Sequence, residues 1–575
     1  MGVSDFTGRI LRQPTSSFDR VGPQRYIFES SNRHSTAYLS QDRGTPVTST
    51  PDIVSSENDA NPNYERRWLV LCIVAITQLT IVLDATIVNI ALPQAQEDLG
   101  ISDSSRAWVI TAYALAFGAL LLLGGRIADY WGRKRSFLVG MAGFAIASAI
   151  GGLAQEGYQL FIARAGQGVF AALLAPAALA ILTTTFTDEK ERAKAFGVFG
   201  AIAGGGAAVG LLLGGVLTEY ANWRWCLLVN VPVAIVAAAA AIPLVKESKA
   251  EGDTRYDVPG AILVALGLGS LVYGFTEAED GWSNVSTLSF IALGIVLLAA
   301  FVVVESRSAN PLLPLGVLLD RDRGSAYLGS AIIGAALLGG TLYLTFYFQI
   351  VLGFSPVVAG VASLPMTGGI MITAAAASAL MPRVGPKPLM AAGPVISAIG
   401  LVLLTQIGVD TSYWTHVLPG VMLLGLGLGL LMVPMQNVAL IGVADHDAGA
   451  ASALVNAALQ IGGALGTAVF TTIYTSAKSS YLSSNVAPVP PAGVPAEALA
   501  SQTLPSDSEL AALPEPIRNF INSTIDYMFS AEVSGYAHAF AAAAIMVILI
   551  TPIVLVLVRA RKTDLPVGDT PVHMG

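Results

Sequence analysis

Charge is scarce in this chain. Asp, Glu, Lys and Arg make up 12% of the 575 residues, about half the ~25% of a soluble domain. That deficit excludes a soluble enzyme and a disordered chain. Cysteine is nearly absent as well. Cys72 and Cys226 each sit inside an apolar run, where a lone thiol packs as a small hydrophobe, so a disulfide-rich secreted domain is excluded too. Five scattered His, no H-E-x-x-H and no Cys cluster give no metal site. No G-x-x-x-x-G-K-[ST] occurs, which leaves ATP without a cradle. No G-x-S-x-G occurs either. Basic residues are not interleaved with aromatics, so nucleic acid is not an expected partner.

What remains is apolar. Hydrophobic residues make up 54%, and mean hydropathy is +0.65. Fifty-eight Gly, with abundant Ala, suit close helix packing in lipid. Residues 1–64 are polar and read as a cytoplasmic tail. From Trp68 onward, apolar stretches recur at the ~20 residues that cross a ~30 Å hydrocarbon core. Fourteen are predicted: 68–92, 107–125, 136–154, 158–184, 195–217, 223–245, 258–276, 286–304, 325–351, 357–380, 388–408, 415–441, 449–475 and 537–559. The predicted class is an all-α polytopic membrane protein.

The positive-inside rule supports that number. With the N-terminus inside and the sides alternating, 26 of the 31 Lys and Arg fall on the cytoplasmic side. Arg106, Arg224, Lys478 and Arg518 fall outside, and Arg164 alone lies within a span. Both termini are thus predicted in the cytoplasm of a plasma-membrane protein. The one long outside loop, 476–536, is rich in Pro, Ala and Ser and carries a short helical pattern near 513–530. It reads as a solvated connector, with a lid over the outer mouth as the alternative.

Ionisable groups at membrane depth are costly and mark function. Asp84, in LDATIVNIALP (83–93), sits well inside the first span, and Arg164, in RAGQG (164–168), inside the fourth. No other Asp, Glu, Lys or Arg reads so clearly as buried in a span. Burial disfavours a charged carboxylate and a nearby cation favours it. Such a pair can have its protonation switched by a second ligand, or it can be a static pair joining two helices. A second constellation, GGRIADYWGRKR (124–135), joins spans two and three. Its Gly125 and Gly132 allow tight turns. Asp129 can pair with Arg133 or face a helix N-terminus, and Arg133, Lys134 and Arg135 meet anionic headgroups.

The spacing G-x-x-x-D-x-x-G-R-K-R resembles the loop signature of the major facilitator superfamily, with Asp129, Gly132, Arg133 and Lys134 in register. Tyr130 and Ile127 depart from its usual residues. The resemblance implies a cytoplasmic gate at Gly125, Asp129, Gly132, Arg133 and Lys134. LDATIVNIALP is similar to the first-helix signature of fourteen-helix drug:proton antiporters of the EmrB/QacA type, bacterial and actinobacterial-like. LFIARAGQGVFAA (160–172) is similar to the fourth-helix motif, with Arg164, Gln167 and Gly168 matching. These imply proton coupling at Asp84 and Arg164. AAVGLLLGGVLTEYANWRWCLLVNVPV (207–233) resembles the fifth-helix antiporter motif together with the stretch after it, with Leu211 where the family usually has Pro. Gly206, Gly210 and Gly214 form one small-residue stripe there, with Gly215 next in the chain. PRVGPKP (382–388) echoes DYWGRKR (129–135), and Gly462, Gly463 and Gly466 echo span five.

The resemblance implies two pseudo-symmetric six-helix bundles with a substrate site near the midplane. The division is then a first bundle at 65–245, an inserted helix pair at 246–305, a second bundle at 306–560 and a tail at 561–575. Asn89, Gln349, Gln436, Asn437, Asn456 and Gln460 could line a cavity or bond a neighbouring helix. Gln167, Tyr113, Tyr343 and Tyr347 join the cavity candidates, the tyrosines with packing as their plainer role. The predicted function is export of an amphipathic small molecule, such as an antibiotic or dye, against protons by alternating access. The protein is expected to work as a monomer in contact with membrane lipids, with protons as coupling ion and no cofactor. The rivals are a dedicated exporter of a metabolite, lipid or amino acid and a transport-inactive sensor.

Overall fold

The computed structural model describes residues 64–250, 257–278, 281–308, 311–313, 315–443, 448–491 and 513–561. Fourteen helices among them are long and apolar enough to cross a membrane. They are α1 (Arg67–Asp98), α2 (Trp108–Trp131), α3 (Arg133–Gly152), α4 (Gly157–Thr185), α5 (Glu189–Tyr220), α6 (Trp225–Leu244), α7 (Val258–Glu277), α8 (Val285–Arg307), α9 (Arg321–Val351), α10 (Pro356–Val384), α11 (Pro386–Leu404), α12 (Tyr413–Leu440), α13 (Gly449–Ser484) and α14 (Glu515–Leu557). Helix is forced here, because a backbone in hydrocarbon must satisfy its own hydrogen bonds. The starts are written locally. Asp188 caps α5, Asp257 α7, Asn284 α8, Asp320 α9 and Ser355 α10, each side chain accepting from a backbone N–H of the first turn. The end of the bundle rich in Lys and Arg is termed inner, and the opposite end outer.

Two sets of six helices repeat one arrangement. The pairings α1–α5, α2–α4, α3–α4 and α3–α6 recur as α9–α13, α10–α12, α11–α12 and α11–α14. The repeat extends to single residues. Gly132 and Gly385 both end a helix at positive φ, +132° and +81°. Lys134 Nζ donates to the Ile242 carbonyl near the end of α6 at 2.6 Å. Lys387 Nζ donates likewise to Leu555 near the end of α14 at 2.9 Å. A lysine thus satisfies a last-turn carbonyl in each half. The pair α7–α8 packs on itself through Gly267 and Gly294 and lies against α2 and α13.

Two expectations need correction. The short helix near 513–530 is the first part of α14, which runs unbroken from Glu515 to Ile548. α13 likewise continues past 475 to Ser484. The segment 476–536 is therefore helical at both ends, and Tyr527 OH donating to the Leu482 carbonyl at 2.7 Å ties the extensions together. The predicted tails, 1–64 and 561–575, lie outside the described residues but for Tyr64 and Arg561.

Candidate functional site

Asp84 is fully buried in α1, and Arg164 in α4 is 1% exposed. α2 passes close to α4 because Gly168 leaves no side chain between its backbone and the Tyr113 carbonyl. Arg164 is thereby held from three sides. Its Nε donates to the Val109 carbonyl at 2.9 Å, and its NH1 donates to Asp84 Oδ2 at 2.6 Å and to Gln167 Oε1 at 2.8 Å. The Tyr113 ring lies 4.5 Å from the guanidinium carbon, a cation–π contact. Asp84 Oδ1 accepts from Gln167 Nε2 at 2.8 Å and from Asn230 Nδ2 at 2.7 Å. Gln167 Nε2 also donates to Ser148 Oγ at 2.8 Å. Five helices of the first half, α1, α2, α3, α4 and α6, contribute to the network, with α4 and α6 bonding the α1 carboxylate directly.

The network suits an ionised carboxylate, which only accepts hydrogen bonds. Both oxygens already face donors, so a proton arriving on Asp84 must turn one amide or the guanidinium away. Toward the outer end, Val88, Ala91, Leu92, Ala95, Leu160, Trp223 and Leu227 enclose an apolar void of about 10 Å³.

Two members of the network escaped the sequence reading. Asn230 was visible as the lone amide in the apolar run WCLLVNVPVAI. Ser148 gave no signal, since serines are common among small residues in such helices. The other candidates lie apart from the network. Asn89 is buried with Oδ1 unpartnered among the described residues. Gln349 Nε2 donates to the Ile90 carbonyl at 2.9 Å and so ties the halves together. Asn437 and Asn456 donate back to their own helices, to Val433 and Ser452. Gln436 is half-buried, and Gln460 packs where α13 crosses Gly118 of α2. Tyr343 and Tyr347 are 1% and 0% exposed. Their hydroxyls donate to Thr471 Oγ1 and the Gly408 carbonyl, each at 2.9 Å. Both tyrosines are core residues of the second half.

The α2–α3 turn is bound by the segment just after α6. Glu247 accepts from the backbone N–H of Lys134 and Arg135 at 3.1 and 3.2 Å. It thus occupies the N-terminus of α3, where negative charge is favoured. Arg133 pairs with Asp129 at 3.3 Å. A Cβ on Gly132 would lie 2.6 Å from Glu247 Oε1 at a φ that side chains avoid. Gly132→Ala is expected to cost about 1–3 kcal/mol, read as a lower melting temperature in detergent. Along α5, Gly206, Gly210 and Gly214 face Val82, Thr86 and Ile87 of α1, and Gly215 faces the start of α10 at Pro356. Leu211 leaves α5 unbroken and packs through its carbonyl on Gly360 of α10.

The halves are joined at their outer ends. Lys478 of α13 bridges Asp103, in the α1–α2 connection, and Glu532 of α14. Glu219 accepts from the Val357 backbone N–H at 2.9 Å. Arg106, 1% exposed, reaches from the α1–α2 connection into the second half, with its guanidinium carbon 4.0 Å from the Phe346 ring and 4.5 Å from that of Tyr474. The sequence reading treated Arg106 as an ordinary outside charge, and here it is a buried plug. Burial favours the neutral Asp103 carboxyl, but Arg106 and Lys478 outweigh it and hold that group below its usual range. At the inner end, among the described residues, no ion pair joins the halves.

The major facilitator superfamily model matches residues 74–467. The chain is 50% identical over 420 residues to the puromycin resistance protein pur8 of Streptomyces alboniger, an alignment covering 72% of this chain and 84% of that one. It is 38% identical over 414 residues to the cephamycin export protein CmcT of Amycolatopsis lactamdurans, with 71% and 85% covered. A crystal structure of a bacterial homolog of the human lysosomal transporter Spinster, inward-facing and occupied, aligns at a TM-score of 0.55 and 16% identity, covering 87% of this chain and 98% of that one. That likeness is one of fold. With these matches and its fourteen apolar helices, the chain belongs to the major facilitator superfamily and is a multi-pass membrane protein.

Proposed function

We propose that this protein exports an amphipathic, antibiotic-like small molecule from the cell in exchange for protons. The observation that carries the reading is Asp84, a fully buried carboxylate whose charge is balanced by Arg164 at 2.6 Å. The names of the relatives, a puromycin resistance protein and a cephamycin export protein, support the substrate class. On this reading both termini lie in the cytoplasm, the membrane is the plasma membrane, and the chain works as a monomer without ATP or cofactor.

Side chains tie the two halves together at the outer end, so on this reading that end must open before drug leaves. In this arrangement both oxygens of Asp84 already accept from donors. Once the outer end opens, a proton entering at Asp84 displaces an amide donor on α4 or α6 and frees α1 to shift. Release of that proton inward re-forms the network. Each charge moved across the membrane draws on about 2.3 kcal/mol per 100 mV. A dedicated exporter of an endogenous product is the second reading, favoured by the export protein among the relatives.

Everted vesicles test the proposal, with puromycin first in a panel of toxic compounds. Acidifying the vesicle lumen is expected to drive drug uptake, and an ionophore that dissipates the proton gradient is expected to stop it. Uptake that persists at full rate without the gradient would overturn proton exchange.

A further inference from the structure

A pair of buried acids lies at the inner end of the inserted helices. Asp257 caps α7, with Oδ1 accepting from the Gly260 N–H at 2.8 Å. Glu305 stands in the last turn of α8, with Oε2 accepting from the Leu313 N–H at 3.2 Å. The two residues are 7% and 3% exposed. Each leaves its other oxygen, Asp257 Oδ2 and Glu305 Oε1, buried and without a donor among the described residues.

Those two oxygens converge. Both lie 2.8 Å from the point a Cβ on Gly260 would occupy, and the carboxyl groups are within hydrogen-bonding reach of each other. Glycine at 260 makes the room in which they meet. Two carboxylates in such a place cannot both stay ionised, because each charge raises the cost of the other. Arg126 of α2 exerts only a weak opposing pull on Glu305, and its NH2 donates to the Pro311 carbonyl at 2.8 Å. One proton shared between the two acids relieves their repulsion.

We propose that Asp257 and Glu305 form a second proton-binding site, a carboxylic acid hydrogen-bonded to a carboxylate. The pair holds the hairpin α7–α8 together at its inner end. Through Leu313 and Arg126 it also fastens the chain leading to the second half against α2. Arg126 comes directly after Gly125 of the α2–α3 gate motif, so loss of this proton is felt at that gate. The Asp84 reading is not needed for this one.

Infrared difference spectroscopy of the purified protein in H2O and D2O tests the proposal without any transport assay. The wild type is expected to show a protonated-carboxyl stretch at neutral pH that shifts in D2O and disappears on alkaline titration. Glu305→Gln, whose amide can donate to Asp257 and still accept from Leu313, and Asp257→Asn are each expected to remove that band. Melting temperature supplies a second readout. The wild type is expected to lose stability as pH rises and the proton leaves, while Glu305→Gln stays flat over the same range. A wild-type band unchanged in both variants would overturn the shared proton, as would a wild-type melting profile that matches that of Glu305→Gln.

Discussion

Asp84→Asn is expected to reduce gradient-driven export by at least about tenfold, the equivalent of ~1.4 kcal/mol, and to lower thermal stability as well. Asparagine can accept from Gln167 and Asn230 only by placing its amide donor before Arg164, and in the flipped orientation it offers Arg164 an uncharged oxygen while its amide meets those two donors. The guanidinium is then an uncompensated charge, 1% exposed. Removing one partner of such a pair costs about 3–5 kcal/mol. Stability and coupling therefore fall together in the single variant, and a second substitution separates them. Asp84→Asn with Arg164→Gln removes both charges and leaves side chains able to hydrogen-bond in the same space. Its melting temperature is expected to return most of the way to wild type while gradient-driven export stays absent. Exchange of labelled for unlabelled drug, which needs no net proton movement, is expected to survive in the double variant. If the pair only joined helices, the double variant would recover export with its stability, and that outcome would end the case for Asp84 as the coupling group.

The fourteen spans were readable because lipid imposes a length and excludes charge, two constraints that leave plain traces in sequence. The Asp84–Arg164 pair was readable for the same reason, since an ion at that depth demands a partner. The helical pattern near 513–530 was readable too, but its continuity with the last span was not. Residues 515–536 carry Arg518, Asn519, Asn522 and Asp526, so no hydropathy signal marks them, and their helix is held by packing on α13. Glu305 and Arg106 were missed for a related reason. Each lies beyond the end of a predicted apolar run, where a charge normally meets water. Only tertiary cover buries them: the α7 cap over Glu305, and the rings of Phe346 and Tyr474 around Arg106. Tyr343 and Tyr347 show the converse limit, because an aromatic in a span reads alike whether it lines a cavity or fills a core.

Lys478→Glu is expected to hold the transporter open at its outer end. Lys478 lies between Asp103 and Glu532, 17% exposed against 33% and 13%, and the Tyr474 hydroxyl also donates to Glu532. The bridge spans the halves, so it exists only while the outer ends are together. A third carboxylate in its place converts attraction to repulsion. With partial exposure screening the charges, a shift of about 2 kcal/mol is a reasonable scale, which moves the balance of states about thirtyfold. Spin labels at Ser102 and Ser483 are expected to report a longer distance in the variant, and export is expected to fall because the cycle stalls before reclosing. Adding Asp103→Lys and Glu532→Gln rebuilds one bridge with its polarity reversed and is expected to restore both the short distance and export. Acid does not substitute for the mutation in the mild range. Asp103 is held below its usual range, so its share of the bridge is present above ordinary carboxylate values and is lost only as pH falls through that lowered value. A spin-label distance insensitive to Lys478→Glu would show that the other ties, Glu219 with Val357 and Arg106 among its aromatic neighbours, close the outer end without it.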